Sequence, residues 1–182
     1  FVIVTIVLII ASCKSNSQKS QSGDSEVNTV VDKASADSET LESSFKLSNG
    51  KEVQIVKKSP QEWKSELSKQ EYYVLREKGT ERAFTSGLLS IKDEGVYTCA
   101  GCDFPLFASD AKFNSGTGWP SFYEPIDKER ILEDTDYDLG YARTEVMCRR
   151  CTGHLGHVFQ DGPKPTGLRY CINGVSLEFG KK

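Results

Sequence analysis

Two Cys-x-x-Cys pairs, far apart in the chain, constrain this fold more than any other feature. Cys99 and Cys102 form the first pair, and Cys148 and Cys151 form the second. Each pair places two thiolates on one tight turn, and two such turns supply the four sulfur ligands that tetrahedral zinc prefers. The intervening stretch, 103–147, is longer than in a simple zinc ribbon, so the metal should join distant strands. Because four protein ligands leave no open coordination position, the predicted zinc is structural and not catalytic.

Three alternatives compete with zinc at these cysteines, namely iron, disulfides and a thioredoxin-like redox pair. A thioredoxin-like pair consists of a single Cys-x-x-Cys that begins a helix in a βαβ unit, and the sequence shows no such unit. Iron and disulfides stay open on the sequence alone.

The composition is that of one soluble globular domain preceded by a polar tail. Hydrophobic residues make up 37% of the chain and charged residues 27%. The net charge of −3 gives no general attraction to phosphate backbones, so a nucleic acid partner is not expected. Ser, Asp, Glu, Lys, Gln and Asn dominate residues 13–44, and such a segment buries too little apolar surface to offset its ordering entropy. Residues 13–44 are therefore predicted to be a flexible tether.

The first twelve residues, FVIVTIVLIIAS, are almost wholly apolar. This run is too short to span a bilayer and is typical of the apolar region of a secretory signal peptide, so residues 1–12 are predicted to be a signal whose start precedes the given sequence. Ile10-Ala11-Ser12-Cys13 resembles the lipobox of bacterial lipoproteins. That resemblance implies lipidation of Cys13, a membrane anchor and an extracytoplasmic location. The alternative is a non-lipidated signal with a chance cysteine.

Local patterns predict a mainly β domain over residues 45–182 with short helices at its N-terminal side. Asn49-Gly50 lies within an alternating apolar and polar run, the strongest short hairpin signal. Ser59-Pro60-Gln61-Glu62 and Ser68-Lys69-Gln70-Glu71 are capping boxes that should begin two short helices. Beyond Gly79 the chain changes to short extended runs, which predict antiparallel strands that include residues 95–98, 140–147, 157–159 and 175–179.

Cys171 is the cysteine that neither the zinc pattern nor the lipobox explains. Arg169 precedes it by two residues and can favour a thiolate, and Asn173 follows it by two and offers an amide to a substrate oxygen. His154 and His157 are the only histidines in the chain and the natural proton donors near neutral pH. These residues predict a reactive thiol site.

Trp119 lies in a loop defined by glycine and proline, where a large ring is well placed to form a pocket wall. Each candidate also has a structural interpretation. Cys171 can be a small buried hydrophobe, the histidines can join the metal site, and Trp119 can pack in the core. The presence of all of these residues in one small domain favours a reactive site over these structural roles.

Five motifs in this order resemble the methionine-R-sulfoxide reductases of the B type. They are Arg76-Glu-Lys-Gly-Thr-Glu-Arg-Ala-Phe84, Cys99-x-x-Cys102, Ser115-Gly-Thr-Gly-Trp-Pro-Ser-Phe122, Cys148-Arg-Arg-Cys151 with His154-Leu-Gly-His-Val-Phe159, and Arg169-Tyr-Cys-Ile-Asn173. The resemblance covers residues 60–179. It implies two antiparallel β-sheets wrapped into a barrel-like core, zinc held by the four paired cysteines, and reduction of the R epimer of methionine sulfoxide in oxidised proteins or as the free amino acid.

The resemblance also implies a role for each candidate residue. Cys171 would attack the sulfoxide sulfur and become a sulfenic acid. His154, His157 and Asn173 would bind and protonate the oxygen. Trp119 would receive the methyl group on sulfur, and Arg169 would help to hold the thiolate.

The chain departs from the family pattern at two positions. Gly174 replaces a common serine, which should matter little. Thr117 lies where many members carry the resolving cysteine, so an external thiol, thioredoxin or a substitute, should reduce the sulfenic acid directly. The leading hypothesis is a membrane-tethered repair enzyme outside the cytoplasm. The rival is a non-enzymatic zinc module, which would not need Cys171, the histidines and Trp119 together.

Overall fold

The structure is a computed structural model that describes residues 43–182. The predicted signal over 1–12, nearly all of the predicted tether over 13–44, and Cys13 lie outside the described residues. In chain order the elements are β1 (Ser44–Lys46), β2 (Glu52–Gln54), α1 (Pro60–Glu66), α2 (Lys69–Glu77), β3 (Gly95–Cys99), β4 (Pro105–Ala108), β5 (Lys112–Phe113), β6 (Ser121–Phe122), β7 (Ile131–Asp136), β8 (Arg143–Cys148), β9 (His154–Phe159), β10 (Arg169–Ile172) and β11 (Leu177–Lys181). No helix in this part of the chain has the length and apolarity that crossing a bilayer requires.

Two antiparallel sheets form the body of the domain, as the family resemblance implies. The larger sheet has the strand order β5-β6-β10-β9-β8-β7, the smaller one β11-β3-β4, and β1 and β2 form a separate hairpin. Within residues 43–182 the end strands β5 and β7 do not pair with each other, so the six-stranded sheet is not a closed barrel. The sheets meet through aromatic side chains, with Tyr97 of β3 5.0 Å from Phe122 of β6 and Phe107 of β4 6.0 Å from Tyr170 of β10, between ring centroids.

The N-terminal elements form where the local signals predict them. The Ser59 side chain accepts a hydrogen bond from the Glu62 backbone N–H, and the Glu62 carboxylate accepts one from the Ser59 N–H, which completes the first capping box. Ser68 and Glu71 repeat this arrangement at the start of α2. Trp63 on α1 is 2% exposed, so this indole belongs to the core.

Three strands begin at positions other than the predicted ones. β8 begins at Arg143 and not at 140, because the Gly140 N–H donates to the Tyr137 carbonyl in a turn (N···O 2.8 Å). β9 begins earlier than predicted, at His154. β11 begins at Leu177, because residues 174–176 form a single 3₁₀ turn. Each difference reflects a turn or a tertiary pairing that periodicity does not report.

Candidate active site and metal centre

The four paired cysteines meet at one buried point beside the sheets. Their sulfur atoms all lie within 4.8 Å of one another. The two pairs have the same local geometry: the residue after each second cysteine, Asp103 or Thr152, has a left-handed φ (57° and 55°) and donates its N–H to the carbonyl of the first cysteine. Two equivalent turns therefore present four sulfurs to a common centre.

The spacing of the sulfurs fits a tetrahedral metal. A Zn–S bond of about 2.3 Å sets the S···S edge of a tetrahedron at about 3.8 Å. The Cys99–Cys151 and Cys102–Cys148 sulfurs lie 3.7 and 3.6 Å apart. A disulfide requires about 2.05 Å, so the disulfide alternative does not describe this arrangement. Hydrogen bonding with Cys102 and the other neighbouring thiols raises the pKa of Cys99 well above its usual range, and a cation at the centre would reverse that shift.

Cys171 lies on β10, the strand between β6 and β9. In the strand register it faces Ser121 on one side and His157 on the other. Its thiol borders a cavity of about 130 Å³, lined by Thr80, Trp119, Arg143, Gly156, His157, Phe159, Cys171 and Asn173. Four of the predicted site residues therefore share one cavity: Trp119, His157, Cys171 and Asn173. A side chain at position 156 would overlap the Cys171 carbonyl oxygen, which explains the glycine in His154-Leu-Gly-His157.

Two of the predicted residues do not line this cavity. The His154 ring lies next to the His157 ring, with centroids 5.4 Å apart. Arg169 pairs with Asp161 through two hydrogen bonds of 2.9 Å, and its guanidinium lies 4.5 Å from the Phe159 ring centroid. Both residues therefore support cavity-lining side chains.

Burial is the main influence on the pKa of the Cys171 thiol. Burial raises its pKa, and hydrogen bonding with Thr117 and the charge of Arg169 oppose the rise without cancelling it. Arg169 thus acts in the direction that the sequence predicts, but Asp161 neutralises much of its charge. The resting group is the thiol near neutral pH.

The side chain beside Cys171 is a hydroxyl. Thr117 Oγ1 lies 3.8 Å from Cys171 Sγ. The Ser115 hydroxyl holds the Thr117 hydroxyl in place. Ser115 Oγ lies 2.8 Å from Thr117 Oγ1 and 2.7 Å from Ser121 Oγ. The position at which many family members carry a second cysteine is therefore in contact with the reactive sulfur, and here it carries no thiol.

A carboxylate orients His157. The Nε2 atom of His157 lies 2.6 Å from Asp136 Oδ2, and Arg143 donates to the same oxygen at 2.5 Å. A hydrogen bond from the Asp138 backbone N–H, with His157 and Arg143, lowers the pKa of Asp136 to about 2. Asp136 is therefore ionised near neutral pH and accepts the Nε2–H of His157.

A second buried carboxylate orients His154. The Nδ1 atom of His154 lies 2.7 Å from Glu145 Oε1, and Lys78 donates to Glu145 Oε2 at 2.7 Å. Glu145 is 1% exposed. Burial lowers the pKa of His154, which favours the neutral ring. Within the described residues, the buried His154 Nε2 and Arg143 Nε have no hydrogen-bond partner.

Glu81 fixes Trp119 and Asn173, two of the side chains that line the cavity. Its carbonyl accepts from the Trp119 indole N–H at 3.1 Å, and its N–H donates to Asn173 Oδ1 at 3.0 Å. Its carboxylate accepts the N–H groups of Gly174 (2.5 Å) and Val175 (3.1 Å). The Asn173 amide also donates to the Leu155 carbonyl at 3.0 Å. Trp119 and Asn173 are thereby fixed by one buried residue.

Sequence reasoning did not single out the charged residues that hold the site. Lys78 and Glu81 lie inside the Arg76–Phe84 motif, but nothing in their local sequence distinguishes them from other surface charges. Glu145 lies between Thr144 and Val146 on β8, so its neighbours in the sequence do not mark it as buried. No local sequence pattern marks Asp136 as part of the site.

A thiol between a histidine–carboxylate pair and an indole wall, on an antiparallel β fold joined by four cysteines, defines a thiol-based oxidoreductase. The SelR domain family matches residues 67–181. Relatives named peptide methionine sulfoxide reductase MsrB include those of Leptospira interrogans (54% identical over 127 residues, 70% of this chain and 97% of the relative), Methanosarcina barkeri (60% over 126 residues, 68% and 87%) and Thiobacillus denitrificans (56% over 125 residues, 69% and 95%). The chain belongs to the methionine-R-sulfoxide reductase family of the B type. The non-enzymatic zinc module is thereby set aside.

Proposed function

We propose that the protein reduces the R epimer of methionine sulfoxide, in oxidised proteins and as the free amino acid, by attack of Cys171 on the sulfoxide sulfur. The observation that carries the proposal is the shared cavity, in which the Cys171 thiol meets Trp119, His157 and Asn173. The names of the relatives support protein repair as the purpose.

Substrate binding follows from the walls of the cavity. The apolar indole of Trp119 suits the methyl group on the sulfoxide sulfur. The sulfoxide oxygen needs hydrogen-bond donors, and Arg143 Nε–H is a buried donor in the cavity wall without a partner among the described residues. Asn173 adds its amide. Because one wall is apolar and the other polar, the two epimers cannot place methyl and oxygen equally well, which is the basis of the expected R selectivity.

The proton for the leaving oxygen comes from Cys171 itself. His157 donates Nε2–H to Asp136, so its Nδ1 is the nitrogen left to take the thiol proton. The resulting thiolate attacks the sulfoxide sulfur, and the imidazolium, stabilised by Asp136, gives the proton to the oxygen. The balanced step is Cys171–SH + R₂S=O → Cys171–SOH + R₂S, in which the sulfoxide gains two electrons and the Cys171 sulfur loses two.

An external thiol completes the cycle. The first thiol attacks the sulfenic acid and releases water, which leaves a mixed disulfide, and a second thiol then frees Cys171 as the disulfide departs. The absence of a thiol at Thr117, 3.8 Å from Cys171, supports this one-cysteine route. Thioredoxin-like proteins or small thiols are the candidate reductants.

The four-cysteine cluster supports a structural metal, and we propose zinc. Cys99, Cys102, Cys148 and Cys151 would hold it with no position left for substrate. Bound zinc would supply cross-linking between the β3–β4 and β8–β9 turns and no chemistry at Cys171. It would also keep four thiols out of the redox cycle.

The N-terminal residues support export and a membrane anchor through lipid on Cys13, with the enzyme outside the cytoplasm. The support is the apolar run over 1–12 and the lipobox-like Ile10–Cys13 segment. Mass spectrometry of the mature chain tests this proposal, because a diacylated Cys13 at the N-terminus is expected and an unmodified Cys13 would contradict it.

An epimer-resolved assay with dithiothreitol tests the reaction. The wild-type chain should convert the R epimer and leave the S epimer, and Cys171→Ser should convert neither while keeping the metal content and circular dichroism of the wild type. Tyr73→Phe, an exposed change on α2, is the matched control. Activity that persists in Cys171→Ser would remove Cys171 from the mechanism.

A further inference from the structure

We infer that the tip of the β7–β8 hairpin, residues 137–141, binds the polypeptide on either side of the oxidised methionine. The inference rests on the proposed function and names its substrate class: methionine sulfoxide within an apolar, extended stretch of an oxidised protein. The tip would thus select protein-bound substrate over the free amino acid.

The hairpin tip carries an unusual concentration of exposed apolar side chains. Tyr137, Leu139 and Tyr141 are 67%, 61% and 58% exposed. They are three of the five large hydrophobic side chains that are exposed in the described part of the chain. Single exposed apolar residues need no explanation, but a cluster on one short loop is typical of an interaction site. Tyrosine is also enriched where polypeptides bind, because its ring is apolar and its hydroxyl can form hydrogen bonds.

The backbone of the tip is held in place. The Gly140 N–H donates to the Tyr137 carbonyl at 2.8 Å, and Gly140 has a φ of +80° that suits glycine. The Asp138 N–H donates to Asp136 Oδ1 at 2.7 Å. These bonds hold the backbone that carries the three apolar side chains before any partner arrives, which lowers the entropy cost of binding.

The tip is continuous with the reactive site. Asp136 ends β7, Arg143 begins β8, and the two face each other in the strand register at the base of the tip. Asp136 contacts His157 and Arg143 lines the cavity. The exposed side chains therefore begin one residue after Asp136 and end two residues before Arg143, and both of these belong to the site. A cavity of about 130 Å³ has room for one side chain, so the residues flanking a bound methionine sulfoxide must lie at its rim.

Charge favours a polypeptide over a lipid surface as the occupant. Exposed carboxylates flank the apolar cluster, namely Glu133, Asp134 and Asp138. An anionic lipid surface would be repelled by these groups, whereas an apolar peptide segment with basic neighbours would be attracted. Tyrosine hydroxyls can also bond the backbone of an extended peptide.

The test compares two substrates in the full-length chain with dithiothreitol as reductant. The substrates are free methionine-R-sulfoxide and a peptide with leucine on both sides of the R-sulfoxide residue. The triple variant Tyr137→Ser, Leu139→Ser, Tyr141→Ser should lower the ratio of kcat/KM for the peptide to kcat/KM for the free amino acid about tenfold, mainly through KM. Tyr73→Ser removes an exposed tyrosine elsewhere and should leave the ratio at its wild-type value.

Four results would overturn the inference. Equal losses on both substrates would mean that the tip only holds Asp136 and Arg143. A loss seen with thioredoxin and absent with dithiothreitol would make the tip a reductant surface. Wild-type binding to vesicles that the triple variant loses, with an unchanged substrate ratio, would make it a lipid surface. A wild-type chain that reduces neither substrate would overturn the proposed function, and the inference with it.

Discussion

Thr117→Cys should convert the proposed one-cysteine cycle into one with an internal disulfide. Thr117 Oγ1 already lies 3.8 Å from Cys171 Sγ. A disulfide needs about 2.05 Å between sulfurs, so closure requires a movement of less than about 2 Å in a half-buried, glycine-flanked loop. The introduced thiol would condense with the Cys171 sulfenic acid and release water.

The length of the loop that the new disulfide closes sets how much the oxidised form should be stabilised. The new bond would close a loop of 54 residues between positions 117 and 171. The chain-entropy relation then gives about 4 kcal/mol of stabilisation for the oxidised form. For a domain of this size that raises Tm by about 10 °C over the reduced form of the same variant.

Mass spectrometry after one turnover without reductant provides the assay. The variant should lose two hydrogens, about 2 Da, with a cross-link between positions 117 and 171, whereas the wild type should gain one oxygen, about 16 Da, on Cys171. Thr117→Ser is the control and should behave as the wild type. A variant that forms the sulfenic acid and never the cross-link would refute the inference that position 117 faces the oxidised sulfur.

Three further predictions concern the metal, the Asp136 carboxylate and the Cys171 thiol. Cys102→Ser leaves three sulfur ligands, so metal analysis should fall well below one equivalent and Tm should drop by about 10 °C or more; full metal retention would contradict the cluster. Because the pKa of Asp136 is lowered to about 2, its ionised form stabilises the fold above pH ~4, and this contribution is lost as pH falls toward 2. Denaturant unfolding between pH 5 and 2.5 should show a shallower pH dependence in Asp136→Asn than in the wild type, and parallel curves would be evidence against the pair with His157. Because burial raises the pKa of the Cys171 thiol, its alkylation by iodoacetamide should keep accelerating beyond pH 9, and a plateau near pH 7 would show an activated thiolate instead.

Features that depend on short-range chemistry were predictable from the sequence. The capping boxes at Ser59 and Ser68, the Asn49-Gly50 hairpin and the meeting of the four paired cysteines all follow from residues a few positions apart or from ligand chemistry. The structure confirms each of them. Residue chemistry alone marked Cys171, His157, Asn173 and Trp119 as candidates for one site. Their meeting in one cavity could not be derived from local patterns, because the walls of the cavity come from five separate stretches of chain.

The parts that could not be predicted depend on long-range register. Glu145 faces His157 across β8 and β9, and Asp136 faces Arg143 across β7 and β8. A shift of one residue in either pairing would turn these carboxylates away from the site. Neither periodicity nor composition sets that register, so the groups that orient the two histidines had no signature in the sequence.

Single turnover of the wild-type chain with each epimer, in the absence of reductant, tests the one-cysteine mechanism. We expect about one equivalent of methionine from the R epimer, none from the S epimer, and one added oxygen on Cys171. An intramolecular disulfide at Cys171, or oxidation at any other residue in its place, would contradict it.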